Sequence, residues 1–238
     1  MKRSLFTLST LAVATLAAAQ GSAVAQTTPG VIRIGEINSY KAQPAFLEPY
    51  KKGWELAQDE INRAGGVGGK KIETLFRDDN ATPGDAVRAA EELVAREKVA
   101  LIAGTFLSNV GLAVGDFAKQ RKVMFIASEP LSDKVTWGNG NAYTWRLRPS
   151  TYMQTTMLVP EAAKLAKKRW GIVYPNYEYG QSAANSFKKL LIAAQPAGGV
   201  EFIEQATPLG KIDAGAVTQA LLDAKVDAVF NVTFGTDL

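Results

Sequence analysis

The sequence contains neither histidine nor cysteine. Without cysteine there are no disulfides, no zinc–thiolate centres and no thiol nucleophile; without histidine the usual general base and the commonest metal ligand are missing. Any chemistry would have to run on carboxylates, Ser, Lys or Tyr. An excess of one charge is also missing: 27 basic residues stand against 23 acidic ones. Such near-balance provides no footprint for nucleic acid, which would be a clustered basic face. No apolar run approaches the ~20 residues of a membrane-spanning helix.

What is present begins with Lys2 and Arg3, the apolar stretch LFTLSTLAVATLAAA, and Ala23-Val24-Ala25 before Gln26. This is the charge, core and A-x-A order of a secretory signal, with cleavage expected after Ala25, so residues 1–25 are assigned to a signal peptide. Loss of Lys2 and Arg3 would leave 25 basic against 23 acidic residues, a formal charge of +2. With no cysteine to carry a lipid behind the leader, retention near the cell requires a second membrane. The periplasm of a Gram-negative bacterium is therefore expected, with no membrane insertion of the mature chain.

Periodicity organises the remainder. VIRIGEI (31–37) reads as a buried strand, 46–66 as an amphipathic helix closed by Gly65 and Gly66, and 70–79 as the next strand. Thr82 is the expected N-cap of a helix, with Pro83 in its first turn. VALIAG (99–104) and VMFIAS (123–128) read as short apolar strands flanking the helix SNVGLAVGDFAKQR. Three β-α units in a row predict a parallel sheet with helices on both faces. After the turn-rich stretch 137–141, a strand over 142–150 carries Arg146 and Arg148 and leads into a second lobe. There the alternation restarts with strands at RWGIVYP, VEFIEQAT and VDAVFNVT. The expected fold class is α/β with two doubly wound parallel-sheet lobes, an N-terminal lobe over 26–147 and a partial second lobe over 148–238. The last predicted strand has no helix to cover it, so a longer protein is expected.

Several sharper motifs fail. Gly65 to Lys71 (GGVGGKK) resembles a phosphate loop, but Ala64 stands where the first glycine is required and Lys71 where Ser or Thr is. Gly180-Gln181-Ser182-Ala183-Ala184 lacks the last glycine of a nucleophile elbow and has no histidine to serve it. Asp78-Asp79 reads as a strand-end turn rather than a metal pair. Lys167-Lys168-Arg169 reads as a solvated helix end.

IRIGEINSY, GWELAQDEINRAGGVGGKKIE, RDDNATPGDAVRAAEELV, GTFLSNVGLAV, YTWRLRPS and YPNYEYGQSA, in this order behind a signal, resemble the leucine/isoleucine/valine-binding family of periplasmic substrate-binding proteins of ABC transporters. The resemblance covers the whole chain behind the leader. It implies two type I periplasmic binding protein lobes joined by three crossovers, of which this sequence holds the first. It also implies capture of a small amino acid or a carboxylate- or amide-type ligand between the lobes, and delivery to an ABC transporter permease. No enzyme activity, catalytic residue, cofactor, metal or nucleic acid is expected. A periplasmic sensor feeding a signalling receptor is the alternative, and an enzyme running on carboxylates a third.

In open α/β sheets ligands sit beyond the carboxyl ends of strands. The loops there carry Ser39, Tyr40 and nearby Phe46, then Phe106, Leu107 and Ser108, then Ser128, Glu129 and Pro130. The second lobe adds Tyr152, Tyr177, Tyr179 and Phe234. By the resemblance, Ser108 falls where a serine takes a ligand carboxylate, and an N-cap role is compatible with this. Ser128 and Glu129 match a ligand-binding loop; Glu129 either receives an ammonium or is an exposed loop carboxylate. Tyr177 and Tyr179 match an aromatic contact or form a surface rim. Phe46, Phe106 and Phe234 form an apolar wall or belong to the core.

Overall fold

The computed structural model describes residues 30–195 and 198–238; the assigned signal peptide lies outside the described residues. Two parallel sheets account for the strands. The first has the order β2-β1-β3-β4-β5, built from β1 (Val31–Asn38), β2 (Lys71–Asp78), β3 (Leu101–Gly104), β4 (Phe125–Ala127) and β5 (Thr144–Arg146). The second has the order β7-β6-β8, from β6 (Arg169–Pro175), β7 (Glu201–Thr207) and β8 (Ala228–Asn231). Every pairing is parallel, with Asn38 opposite Asp78 and Ile37 opposite Gly104 in the first sheet. This is the expected α/β architecture.

Helices α1 (Pro44–Arg63), α2 (Pro83–Ala95) and α3 (Ser108–Arg121) make the crossovers of the first sheet. Thr82 caps α2 by accepting the Asp85 N–H, with Pro83 at N1, as its sequence predicts. Helix α1 starts two residues earlier than expected because Pro44 occupies N1, and it stops at Arg63. The turn that follows bridges Val67 to Lys70 and needs glycine at 66, where φ is +80° and a Cβ would meet the Lys70 carbonyl oxygen at 2.0 Å.

Core one lies between the first sheet and α2 and α3, where Ile37, Leu93, Ile102, Val110, Val114 and Phe125 are buried. Core two gathers Trp170, Ile172, Phe187 and Leu191 under α4 (Thr151–Lys164) and α5 (Glu178–Ala194). Phe187 is fully buried and stacks on Phe230 at 4.1 Å; burying such a ring stabilises by roughly 1.5–3 kcal/mol. Helix α6 (Ala214–Asp223) sets Leu221 against Gly171, where a Cβ would come within 2.7 Å of Leu221 Cδ2.

The expected strand over 142–150 is shorter, pairing only over Thr144–Arg146. Beyond it the chain runs to Ser150, whose side chain accepts the Met153 N–H and caps α4. Between β4 and β5, the segment 130–136 is bound on both sides. Arg146 donates to the Pro130 carbonyl at 2.9 Å and to the Ser132 carbonyl. Asp133 accepts from the Tyr152 N–H and from the hydroxyls of Thr151 and Ser186, all at 2.9 Å. No helix among the described residues is long and apolar enough to cross a membrane.

Candidate functional site

In each sheet the strand order reverses beside its first strand: β1 lies between β2 and β3, and β6 between β7 and β8. The carboxyl ends of strands at such a switch point open a crevice between diverging loops. The loops of both sheets border one cavity of about 200 Å³, below the ~300–1,000 Å³ of sites for drug-sized molecules. From the first sheet's side come Phe46, Phe106, Ser108, Glu129 and Leu131, and Arg148 comes from the segment that joins β5 to α4. Gln154, Tyr177, Tyr179 and Phe234 complete the lining from the second.

The aromatic rings form a continuous chain. Phe46 to Phe106 is 5.5 Å between centroids, Phe106 to Phe234 5.9 Å, Phe234 to Tyr179 5.8 Å and Tyr179 to Tyr177 6.0 Å. All are tilted or edge-on, the arrangement favoured by the ring quadrupole. Burial pushes the Tyr177 and Tyr179 hydroxyls up from their ordinary pKa, so both remain neutral donors at physiological pH.

Ser108 is not the N-cap of α3, a position held by Leu107. Its Oγ accepts the N–H groups of Leu131 at 3.2 Å and Ser132 at 3.1 Å. With both lone pairs engaged, the Ser108 O–H is left to donate. Glu129 is half-buried; burial pushes its carboxyl above the ordinary carboxylate range and Arg148 pulls it back only in part. The cavity thus combines an apolar aromatic body with one cation, one carboxyl and several hydroxyl donors.

Of the residues singled out in the sequence, Phe46, Phe106, Ser108, Glu129, Tyr177, Tyr179 and Phe234 share this lining. The others stand outside it. Ser39 is fully buried and donates to Asp79 Oδ1 at 2.6 Å. Tyr40 donates to Glu36 and meets the Phe76 ring at 6.1 Å. Leu107 belongs to core one. Ser128 accepts from the Gly104 N–H at 3.1 Å and the Tyr50 hydroxyl at 3.0 Å. Pro130 packs over Gly111, and Tyr152 lies 5.1 Å from the Trp137 ring. Asp78 and Asp79 organise a turn: Asp78 accepts the N–H groups of Lys41 and Asn80, and Asp79 that of Ala81.

Sequence reasoning passes over Leu131, Arg148 and Gln154 as lining residues. It also passes over Glu36, which is fully buried at the end of β1 and accepts from Asn38 Nδ2 at 3.2 Å and from Tyr40. Burial raises its carboxyl to a pKa of about 8, against the opposing hydrogen bonds of Tyr40, Tyr50 and Asn38.

A sequence model of the family described as periplasmic binding protein matches residues 31–238. The Leu/Ile/Val-binding protein BraC3 of Rhizobium johnstonii is 30% identical over 188 residues, which cover 78% of this chain and 50% of that relative. Among solved structures, a solute-binding protein of an ABC transporter from Rhodopseudomonas palustris BisB5, in complex with 3,4-dihydroxy benzoic acid, is 28% identical with a TM-score of 0.75. That match covers 87% of this chain and 55% of the other. A second R. palustris solute-binding protein of an ABC transporter, in complex with 4-hydroxybenzoate, is 25% identical with a TM-score of 0.74, over 84% of this chain and 53% of the other. The chain spans about half the length of the curated relatives it matches. Sheet order, switch-point cavity and family match agree: the chain belongs to the periplasmic binding protein family.

Proposed function

We propose that this chain is the ligand-capturing part of an extracytoplasmic solute-binding protein. It would close two lobes on a small amino acid or a carboxylate- or amide-type ligand and deliver it to an ABC transporter permease. The observation that carries this is the cavity itself, bordered by strand-end loops of both sheets and crossed by an aromatic chain from Phe46 to Tyr177. A ligand touching both sides stabilises the closed form by its differential affinity for that form. Arg148, the free Ser108 O–H and the tyrosines suit an acid group on a planar or apolar body. The benzoate-type ligands of the two R. palustris proteins support the same class.

This reading places the lobe boundary at 147/148 and has residues 1–25 removed on export to the periplasm. Lining residues from both sides are the proposed ligand contacts. The test is thermal unfolding of the full chain across amino acids, amides and small aromatic or aliphatic carboxylates. A ligand at a hundred times its dissociation constant adds about 2.7 kcal/mol and raises the midpoint by several degrees. A cooperative transition that no member of the panel moves overturns the reading.

A further inference from the structure

Glu36 is a fully buried titratable group that takes no part in the cavity lining. Asn38 Nδ2 donates to it at 3.2 Å, Tyr40 donates from the loop after β1, and Tyr50 of α1 hydrogen-bonds it as well. No cation pairs with it among the described residues. Lys51, the next residue on α1, is turned to the Phe76 ring, 5.0 Å from its centroid, and to Glu55 at 3.6 Å. Asp79, the other buried carboxyl group at this end of the sheet, takes the Ser39 hydroxyl at 2.6 Å. The charged group whose field reaches Glu36 is Glu129, and it adds to burial in favouring the protonated form. A buried carboxyl without a cation takes up a proton rather than bear an unpaired charge.

Two routes join Glu36 to the cavity wall. Tyr50 bonds Glu36 and donates to Ser128 Oγ at 3.0 Å. On another side the carboxyl rests against Gly104, where a Cβ would lie 2.5 Å from Glu36 Oε1. Gly104 holds Ser128 twice, its N–H donating to Ser128 Oγ at 3.1 Å and its carbonyl accepting the Ser128 N–H at 2.9 Å. Ser128 directly precedes Glu129, which lines the cavity. We propose that Glu36 is a proton-linked positioning residue, whose neutral form holds the loop at 128–129 for an anionic ligand and whose ionisation weakens binding. The inference rests on the solute-binding reading and adds its regulation. Once ionised, Glu36 faces Glu129 at low dielectric, where like charges repel strongly. It then has to draw Tyr50 or water to itself, which loosens Ser128, and it sets a further negative charge behind the wall. By linkage, a bound anion raises the proton affinity of Glu36. Binding is therefore strongest below the pKa of the free protein, about 8, and weakens as pH rises through it, by at most about tenfold per pH unit. Burial keeps Tyr40 and Tyr50 neutral across that window.

Isothermal titration of the full chain with benzoate, 4-methylpentanoate and leucine at pH 6, 7, 8 and 9 tests this, each probe keeping an ionised carboxylate throughout. At least one is expected to bind, with a Kd that rises about threefold or more between pH 7 and 9. At pH 8 its binding is expected to take up protons, read as a heat that differs between buffers of different ionisation enthalpy. Proton uptake is read in the parent protein and needs no variant. Glu36→Gln keeps the neutral hydrogen-bonding shape, and is expected to flatten the pH profile and abolish the uptake. A parent Kd that does not change with pH and carries no proton uptake, or a Glu36→Gln variant that keeps the slope, overturns the inference and leaves the solute-binding reading standing. Absence of binding by all three probes at every pH, in a chain that unfolds cooperatively, overturns the anionic-ligand form of that reading and the coupling with it.

Discussion

Phe46, in the first turn of α1, meets Phe234, beyond the end of β8, edge-on at 6.3 Å between ring centroids. The pair joins the loops of the two sheets and separates the inner cavity from an outer groove that both rings also line. On the proposed solute-binding reading, a contact across the cleft contributes only in the closed form, so it would act on ligand release more than on folding.

Phe234→Ala removes ring contacts to Phe46, Phe106 and Tyr179 together. With aromatic pairs at about 0.5–1.5 kcal/mol each beyond area burial, ligand release is expected to accelerate roughly tenfold or more. Stopped-flow displacement of bound ligand measures it. An unchanged release rate in a folded variant would remove the pair from the closed-state account.

Glu36 carries a pH dependence of known sign. Its folded pKa is about 8 against an ordinary 4.5, so the folded state holds a proton that the unfolded state releases between those values. Stability from this group is full below about 4.5, falls by about 1.4 kcal/mol per pH unit through the window, and levels off above about 8. Glu36→Gln mimics the neutral carboxyl and is expected to flatten that slope and to be the more stable form at alkaline pH. Parallel denaturant titrations at pH 5, 7 and 9 decide it. Identical slopes in both proteins would mean that Glu36 ionises in the fold as it does in water.

Much of the fold is legible because strands of a parallel sheet, covered on both faces, read as apolar runs such as VALIAG and VMFIAS. The same rule misplaces the end of β5. Trp145 and Leu147 are 59% and 71% exposed, so their apolar character marks no buried strand. Phe46, Phe106 and Phe234 are readable as cavity-lining residues because each follows a strand end, where the topology opens a crevice. Arg148 and Gln154 have no such signature: the first follows a strand only three residues long and the second sits in a helix whose inward face the sequence does not declare. Glu36 escapes because its burial depends on β2 and β3 flanking β1 on both sides, a relation of tertiary pairing.

Asp133 is the acceptor that ties the segment after β4 to the second lobe. Burial pushes its carboxyl up, yet hydrogen bonds from Ser150, the Tyr152 N–H, Thr151 and Ser186 more than offset this and hold it below the ordinary range. Its contribution is therefore present above the unfolded pKa and lost as pH falls through the lower folded value. Asp133→Ala strands several donors and is expected to cost on the order of 2–3 kcal/mol, read as a lower unfolding midpoint at pH 7. Loss of less than half a kcal/mol would show that solvent replaces the carboxylate without penalty.

Gly104 and Gly53 are expected to respond to alanine with opposite signs. At Gly104, φ is +110° and a Cβ would lie 2.3 Å from the Ile37 carbonyl oxygen and 2.5 Å from Glu36 Oε1. The backbone cannot retreat freely, because Gly104 is opposite Ile37 in the β1–β3 ladder and its N–H donates to Ser128. Strain of this kind costs of order 1–3 kcal/mol before the steric clash is added, so Gly104→Ala should lower stability by more than 2 kcal/mol. Gly53 lies within α1, where a Cβ meets nothing within 4 Å. There Gly53→Ala should raise stability by about 0.5–1 kcal/mol, since glycine forfeits that much inside a helix. Urea unfolding of the two variants against the parent protein checks both, and a tolerated alanine at 104 would contradict the close approach of β1 and β3 on which the crevice depends.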